Sequence, residues 1–77
     1  MADLTAMKRK AKAVRHLPTP AMRRAIRVEA GLTQEDVAEP LEVQRETVSR
    51  WEAGKRTPRG RLLIQYAELL AEIQRNA

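Results

Sequence analysis

Apolar residues recur at intervals of three and four along most of the chain, the spacing that places them on one face of an α-helix. Segments 22–29, 37–41, 43–51 and 62–73 all show this pattern. No segment alternates apolar and polar residues as a half-buried strand would, and runs of β-branched residues are absent. The pattern therefore predicts an all-α fold, a compact bundle of four to five helices.

The first two of these helices have clear start and stop signals. Thr19 is expected to cap a helix that begins with Pro20, because proline loses nothing at the first helical position. Gly31 should end that helix in a left-handed conformation. Thr33 and Asp36 then predict a capping box at the start of the second helix. That helix should reach residue 41.

The next two helices are marked less evenly. A helix over 45–53 is expected to stop at Gly54, and the residue before it is a glutamine, which caps poorly. The pair Thr57-Pro58 repeats the earlier start signal and predicts a long helix that runs to about Arg75.

This long helix carries two apolar stripes. The first stripe consists of Leu63, Ala67 and Leu70. The second consists of Leu62, Tyr66, Leu69 and Ile73. One stripe should close the core, and the other then needs a cover of its own. Either residues 4–16 or a second copy of the chain can supply it. We take the second stripe as the candidate homodimer surface.

The distribution of charge along the chain indicates the kind of partner that it binds. The chain has 77 residues, enough for one small domain, and a formal net charge of +5. The basic excess is concentrated in segments 1–17 and 43–61, each with a net charge of +4. In the first segment the cations are Lys8, Arg9, Lys10, Lys12 and Arg15, and the anion is Asp3. In the second the cations are Arg45, Arg50, Lys55, Arg56, Arg59 and Arg61, and the anions are Glu46 and Glu52. Two such zones favour a polyanion, most often nucleic acid, over charge that serves solubility alone.

Composition excludes several other classes. There is no cysteine and a single histidine, His16, so neither a zinc site nor a thiol nucleophile can be assembled. No glycine-rich loop is present to hold a phosphate, and no apolar run approaches the roughly 20 residues of a membrane span. We therefore expect no catalytic residue, no metal, no cofactor and no membrane partner.

Residues 31–58, GLTQEDVAEPLEVQRETVSRWEAGKRTP, contain two short helices with a tight link, which is a helix-turn-helix. The segment resembles the Cro and C1-type repressors, the XRE-like regulators with a lambda-repressor-like DNA-binding domain. The matching positions are Gly31 to Gln34, Val37, Ala38, Leu41, Val43, Val48 to Glu52, Gly54, Lys55 and Pro58, with Ile26 and Arg27 before them and Leu63, Ala67 and Leu70 after them. The resemblance covers about residues 20–72. We expect a DNA-binding domain over 18–77 and, over 1–17, a basic arm or short helix.

Two residues depart from the family pattern. The family usually has glycine in the turn, where this chain has Glu42. A left-handed backbone at a non-glycine residue costs on the order of 1 kcal/mol. Pro40 is the other departure, because it cannot donate to the carbonyl of Asp36 and should distort the last turn of its helix.

The helix over 45–53 is suited to a DNA groove. Val48 and Trp51 are three residues apart and should face inward. The polar residues Arg45, Glu46, Ser49 and Arg50 should face elsewhere. The candidate base contacts are Gln44, Arg45, Glu46, Thr47, Ser49 and Arg50. Arginine can hold a guanine through two acceptors, and glutamate can accept from a cytosine amino group. The alternative is a solvated helix face in which Glu46 and Arg50 pair across one turn.

The remaining site residues have backbone or structural roles. The candidate phosphate contacts are Thr33, Gln34, Lys55, Arg56, Arg59 and Arg61. Gln34 is included because the resemblance implies it, and because free amides at a helix N-terminus suit an anion. The resemblance also implies a partly buried ion pair between Arg27 and Glu52.

The resemblance implies a sequence-specific regulator of transcription, encoded by a bacterium or phage and acting in the cytoplasm. Such proteins are commonly repressors that bind double-stranded DNA as symmetric dimers. An alternative keeps the fold but makes the chain an antitoxin or another protein-interaction module, with a partner protein as its main ligand. The segment 1–17 either follows a DNA groove or binds an acidic protein. A membrane surface is the lowest-ranked partner, because the apolar stripe of this segment is weak.

Overall fold

The computed structural model describes residues 4–76, and five helices account for most of them. They are α1 (Leu4–His16), α2 (Pro20–Glu29), α3 (Gln34–Leu41), α4 (Arg45–Glu52) and α5 (Gly60–Asn76). No strand occurs over this range, so the predicted all-α bundle is confirmed. The Cα radius of gyration is 12.2 Å, close to the roughly 11.5 Å expected of a compact chain of this length. None of the helices described is long and apolar enough to cross a membrane.

The threonine caps predicted for α2 and α3 are present. The Thr19 hydroxyl oxygen accepts a hydrogen bond from the Met22 amide at 3.4 Å, with Pro20 at the first helical position. The Thr33 hydroxyl oxygen accepts from the Asp36 amide at 3.0 Å, and the Asp36 carboxylate accepts from the Thr33 amide at 2.8 Å. That backbone hydrogen bond lowers the pKa of Asp36. The starts of α2 and α3 are therefore fixed by their own sequences.

The turn between α3 and α4 contains a left-handed residue with a side chain. Glu42 has φ 56° and ψ 41°, at the position where the family pattern has glycine. Its amide donates to the carbonyls of Ala38 and Glu39 and so closes α3. Pro40 lies inside α3, where a distorted last turn is expected, but the helix continues through it to Leu41. The backbone strain at this turn therefore lies at Glu42, at a cost of about 1–2 kcal/mol.

The predicted start of the last helix is wrong by two residues. The pair Thr57-Pro58 lies in the loop, and α5 begins at Gly60. Gly60 has φ 58°, and a left-handed residue prevents a right-handed helix from extending back through it. Pro58 is buried, so it packs against the domain instead of opening a helix.

The core lies between α2, α3, α4 and α5. Its buried residues are Ile26, Val37, Ala38, Leu41, Val48, Trp51, Tyr66 and Leu70. The rings of Trp51 and Tyr66 are tilted by 39°, with centroids 4.6 Å apart. Aromatic pairs of this kind contribute about 0.5–1.5 kcal/mol beyond the area that they bury. Trp51 is thus buried in the core, as the sequence predicts, and its ring contacts Tyr66 of α5.

The assignment of the stripes on α5 needs correction. Tyr66 is 0% exposed, and Leu62, Leu69 and Ile73 are partly buried against the same core. The stripe that we took as a dimer surface is therefore the core face of the helix. Leu63 of the other stripe is buried too, and the two stripes form the two halves of one wide apolar face. Helical spacing identifies such a face but does not show which half turns to the core.

The segment 4–16 forms a helix, α1, that packs along α5. Ala13 is buried, and together with Ala67 it lines a groove between the two helices. Beside that groove, the Arg9 guanidinium donates to both carboxylate oxygens of Glu68, at 2.6 and 2.9 Å. α1 is thus attached by small side chains and an ion pair at the surface.

Candidate nucleic-acid interface

Helix α4 is held to the domain by one face only. Val48 is 0% exposed and Trp51 is 3% exposed, and the helix packs against α2 and α3. Its outward residues are polar. Gln44, Arg45, Glu46 and Arg50 are exposed, and Thr47 and Ser49 are half-buried. The helix ends at Glu52, one residue before the predicted end, with Ala53 as its cap. All six candidate base contacts therefore lie on or beside one short helix.

A buried ion pair joins α2 to α4. The Arg27 guanidinium donates to the two carboxylate oxygens of Glu52, at 2.6 and 2.9 Å, and to the Leu32 carbonyl at 2.8 Å. The side chains of the pair are 10% and 4% exposed. The hydrogen bonds to Glu52 raise the pKa of Arg27. The ion pair that the resemblance implies is present, and it fixes the C-terminal end of α4.

Arg23 is a second buried arginine at this end of α4, and sequence reasoning missed it. Its guanidinium donates to the Pro18 carbonyl at 2.7 Å and to the Trp51 carbonyl at 3.0 Å. Burial lowers the pKa of Arg23. A cation at a helix C-terminus is stabilised by the free carbonyl groups there. The available signal was its spacing, because Arg23 lies one turn before Arg27 on the buried face of α2.

Gln34 connects the buried pair to the surface of α4. Its amide nitrogen donates to Glu52 at 3.2 Å, and its amide oxygen accepts from Arg45 at 3.2 Å. The Arg45 guanidinium also donates to Glu46 at 3.2 Å. Over the described range Glu46 pairs with Arg45 and not with Arg50, so the surface pair considered as the alternative does not form. Arg45 is thus positioned through Gln34 by a chain of hydrogen bonds that begins in the core.

The loop after α4 folds back onto that helix. Gly54 adopts φ 74°, and the amides of Lys55 and Arg56 donate to the Arg50 carbonyl at 3.0 and 3.3 Å. Arg50, Lys55, Arg56 and Arg59 then line one shallow depression beside α4, and residues 4–76 contribute no carboxylate to its lining. The structure thus brings the base-contact candidate Arg50 beside three of the phosphate-contact candidates.

The other phosphate-contact candidates lie elsewhere on the surface. Thr33 and Gln34 are at the N-terminus of α3, close to Arg45, and Arg61 is exposed in the first turn of α5. The Gln34 side chain already has partners within the chain at both of its polar atoms. While these bonds are kept, its contribution to an anion site would come from its position at the helix N-terminus.

Comparison with known families agrees with this geometry. A family model described as helix-turn-helix matches residues 24–73, which include α3, the turn and α4. No curated protein and no solved structure matches the chain significantly. Helix α1 lies outside the matched residues. Because the match spans more than half of the chain, this protein belongs to the Cro/C1-type helix-turn-helix family, whose fold is that of DNA-binding transcription regulators.

Proposed function

We propose that the chain is a transcription regulator that binds double-stranded DNA sequence-specifically, with α4 in the major groove. The observation that carries this proposal is the division of α4 into two faces. One face is buried through Val48 and Trp51, and the other presents two arginines and a glutamate to solvent. The major groove of B-DNA admits one α-helix and presents donors and acceptors that such side chains can read.

Base recognition is assigned to the outward residues of α4. Arg45 and Arg50 each reach a guanine through its O6 and N7 atoms, and Glu46 accepts from a cytosine amino group. Gln44, Thr47 and Ser49 contact bases or the sugar-phosphate backbone. The hydrogen bond from Arg45 to Gln34 supports this role, because a side chain that is already oriented loses less freedom on binding.

Phosphate binding is assigned to cations on either side of α4. Lys55, Arg56 and Arg59 share the acid-free depression with Arg50, and Arg61 lies beyond them. Thr33 and Gln34 contribute the N-terminus of α3. Contacts of this kind fix the position of a protein on DNA without reading its sequence.

We further propose that the protein acts as a repressor and binds as a symmetric dimer to half-sites about one helical turn apart. The dimer surface cannot be the stripe on α5, because Tyr66 is 0% exposed and its neighbours pack on the core. Sedimentation of the protein with a two-half-site duplex tests this step. A complex with a single protein chain on such a duplex would rule out the dimer and leave base reading by α4 intact.

Selection from random-sequence duplex DNA at two salt concentrations tests the central proposal. A two-fold symmetric motif that persists at the higher salt is the expected result, because base contacts survive where purely ionic contacts weaken. Retention without enrichment, lost at the higher salt, would mean that the chain binds DNA only through charge and would overturn sequence-specific regulation.

Two single substitutions separate the assigned roles. Arg50→Ala should cost about 1–3 kcal/mol of binding free energy on the selected site and relax one base position. Lys55→Ala should weaken binding to all sequences alike and reduce the dependence of affinity on salt. Arg75→Ala, an exposed arginine at the end of α5, is the matched control. Equal behaviour of Arg50→Ala and Lys55→Ala would contradict the assignment of base reading to Arg50.

A further inference from the structure

Helix α1 exposes an apolar stripe that the DNA-binding proposal does not use. Leu4, Met7 and Val14 are 61%, 57% and 59% exposed. With Ala11 between them they recur at helical spacing and therefore lie on one face of α1. Ala13, which is buried, turns towards α5 from the other side. These four residues, Leu4, Met7, Ala11 and Val14, are called the α1 stripe below.

The surroundings of the α1 stripe are basic. At helical spacing, Lys8 and Arg15 lie along one edge of it and Lys10 lies along the other. The sequence of α1, LTAMKRKAKAVRH, contains no carboxylate. Two carboxylates of α5 line the groove beside this helix, and both have partners: Glu68 is bonded to Arg9 and Glu72 to Arg75. The stripe is thus flanked by two cations on one side and by one on the other.

We propose that the α1 stripe binds an acidic amphipathic helix of another protein. A helix of that kind brings apolar side chains to the stripe and carboxylates to both of its basic edges. Amphipathic helices are commonly recognised in this way, through apolar residues at every third or fourth position. The charge pattern then also sets which partners are accepted, because like charges across an interface are unfavourable.

Other occupants match this surface less well. A second α1 would place lysine and arginine against lysine and arginine. DNA would satisfy the cations and leave the apolar side chains without partners. A membrane surface is bound best by helices with tryptophan, phenylalanine or several leucines on the apolar face. α1 offers one leucine, one methionine, one valine and an alanine.

The α1 stripe and the proposed base-reading surface belong to different helices. α1 packs against α5, whereas α4 packs against α2 and α3. A partner on the α1 stripe therefore contacts a different helix from the one assigned to the major groove. The stripe is short, because the ten helical steps from Leu4 to Val14 extend about 15 Å. We accordingly expect affinity in the micromolar range.

Titration of the full chain with a synthetic acidic helix, followed by NMR, tests this proposal. The probe is a peptide with leucine at every third or fourth position and glutamate at the positions that flank them. The expected result is saturable shifts at Leu4, Met7 and Val14 that weaken as salt screens the charges. A peptide of the same composition with its leucines spread around the helix should bind at least roughly tenfold more weakly.

Substitutions on the protein complete the test. The double variant Met7→Ser/Val14→Ser should lose at least about tenfold in affinity for the peptide. Met22→Ser removes an apolar side chain of α2 that is 49% exposed and should leave the affinity unchanged. Circular dichroism and selection for duplex DNA establish that the double variant is folded and still binds its site.

Four outcomes would overturn the proposal. Equal affinity for the two peptides would mean that the interaction depends on charge alone and not on the apolar stripe. Binding to vesicles of phosphatidylcholine and phosphatidylglycerol, with none to the peptide, would assign the stripe to a membrane. Sedimentation showing a dimer that the double variant loses would assign it to a second copy. Shifts at the α1 stripe with duplex DNA alone would assign it to the nucleic acid.

Discussion

Two ion pairs in this chain have almost the same geometry and opposite surroundings. Arg27 meets Glu52, and Arg9 meets Glu68, each through two hydrogen bonds of 2.6 and 2.9 Å. The side chains of the first pair are 10% and 4% exposed, and those of the second are 53% and 51% exposed. Water and salt screen the second pair and not the first, so equal distances carry unequal consequences.

The difference corresponds to what each pair attaches. The buried pair joins α2 to α4 and, through Gln34, orients Arg45 on the outward face. The exposed pair attaches α1, which lies outside the family match, to α5. Ala13 is the buried residue of α1. A helix that reads bases must be held in a fixed position by the rest of the domain. The two helices are therefore held differently, α4 by a buried ion pair and α1 by a pair that water screens.

Loss of the buried pair should have the largest effect. Arg27→Ala leaves the Glu52 carboxylate buried without its cation, and we expect the free energy of unfolding to fall by about 3–5 kcal/mol. Urea denaturation followed by the fluorescence of Trp51 measures this loss. Arg24→Ala on the same helix, at an exposed residue, is the control and should change stability little. An equal loss in both variants would mean that burial of the pair is not what matters.

A double variant distinguishes stability from positioning. Arg27→Met with Glu52→Met replaces both charges by apolar groups, and most of the lost stability should return. Gln34 would then lack its Glu52 acceptor, so the support of Arg45 should stay broken. We expect DNA affinity to remain below that of the wild type. Full recovery of affinity would show that the hydrogen-bond chain does not orient Arg45.

Tyr66 sharpens the comparison on the buried side. Its hydroxyl is buried with no hydrogen-bond partner within residues 4–76. An unsatisfied buried polar group costs about 1–3 kcal/mol, so Tyr66→Phe should stabilise the fold by about 1 kcal/mol. Leu63→Ala, which removes packing instead of a polar group, should destabilise it. A loss of stability in Tyr66→Phe would mean that the hydroxyl has a partner.

The same variant should change the alkaline limb of stability. Burial, reinforced by the charge of Glu52, raises the pKa of Tyr66 to about 12. The unfolded chain, with a tyrosine pKa of about 10, loses its proton first. The part of the free energy of unfolding that depends on this proton is therefore fully present below about pH 10. It is lost as pH rises towards the pKa of the folded state. The free energy of unfolding, measured at increasing pH above about 10, should fall more steeply for the wild type than for Tyr66→Phe.

The parts of the fold that the sequence predicts well are those with local causes. The caps at Thr19 and Thr33 bond amides three residues away, so their partners are visible in the sequence. The left-handed turn at Glu42 follows from the glycine that the family pattern has there. In each case the deciding atoms lie within a few residues of one another.

The parts that it predicts badly depend on distant segments. Arg23 donates to the main-chain carbonyls of Pro18 and Trp51. Every residue has such a carbonyl, so the sequence does not show which ones Arg23 will reach. The core side of α5 depends on which helices reach it, so the spacing around Tyr66 suited two assignments equally. Gln34 has the partners Glu52 and Arg45, which lie 18 and 11 residues further along the chain.

Loss of the exposed pair should have the smallest effect. Arg9→Ala removes a pair that water already screens, so its effect on unfolding should be far below that of Arg27→Ala. The change should appear in α1 itself, because a helix this short is marginal without its attachment. Hydrogen exchange of α1 amides, with exposed Lys8→Ala as the control, measures it. Slowed or unchanged exchange in Arg9→Ala would show that α1 does not depend on this pair.

The pH dependence of that small effect identifies its cause. The bond from Arg9 lowers the pKa of Glu68 below its unfolded value of about 4.3. The contribution of the pair is thus complete above that value and is lost as pH falls through the folded pKa. The wild type and Arg9→Ala should therefore converge in acid, and converge again at high salt at neutral pH. A difference that persists under both conditions would mean that Arg9 holds α1 by packing its aliphatic stem against α5, and the contrast between the two ion pairs would then not be one of solvent screening.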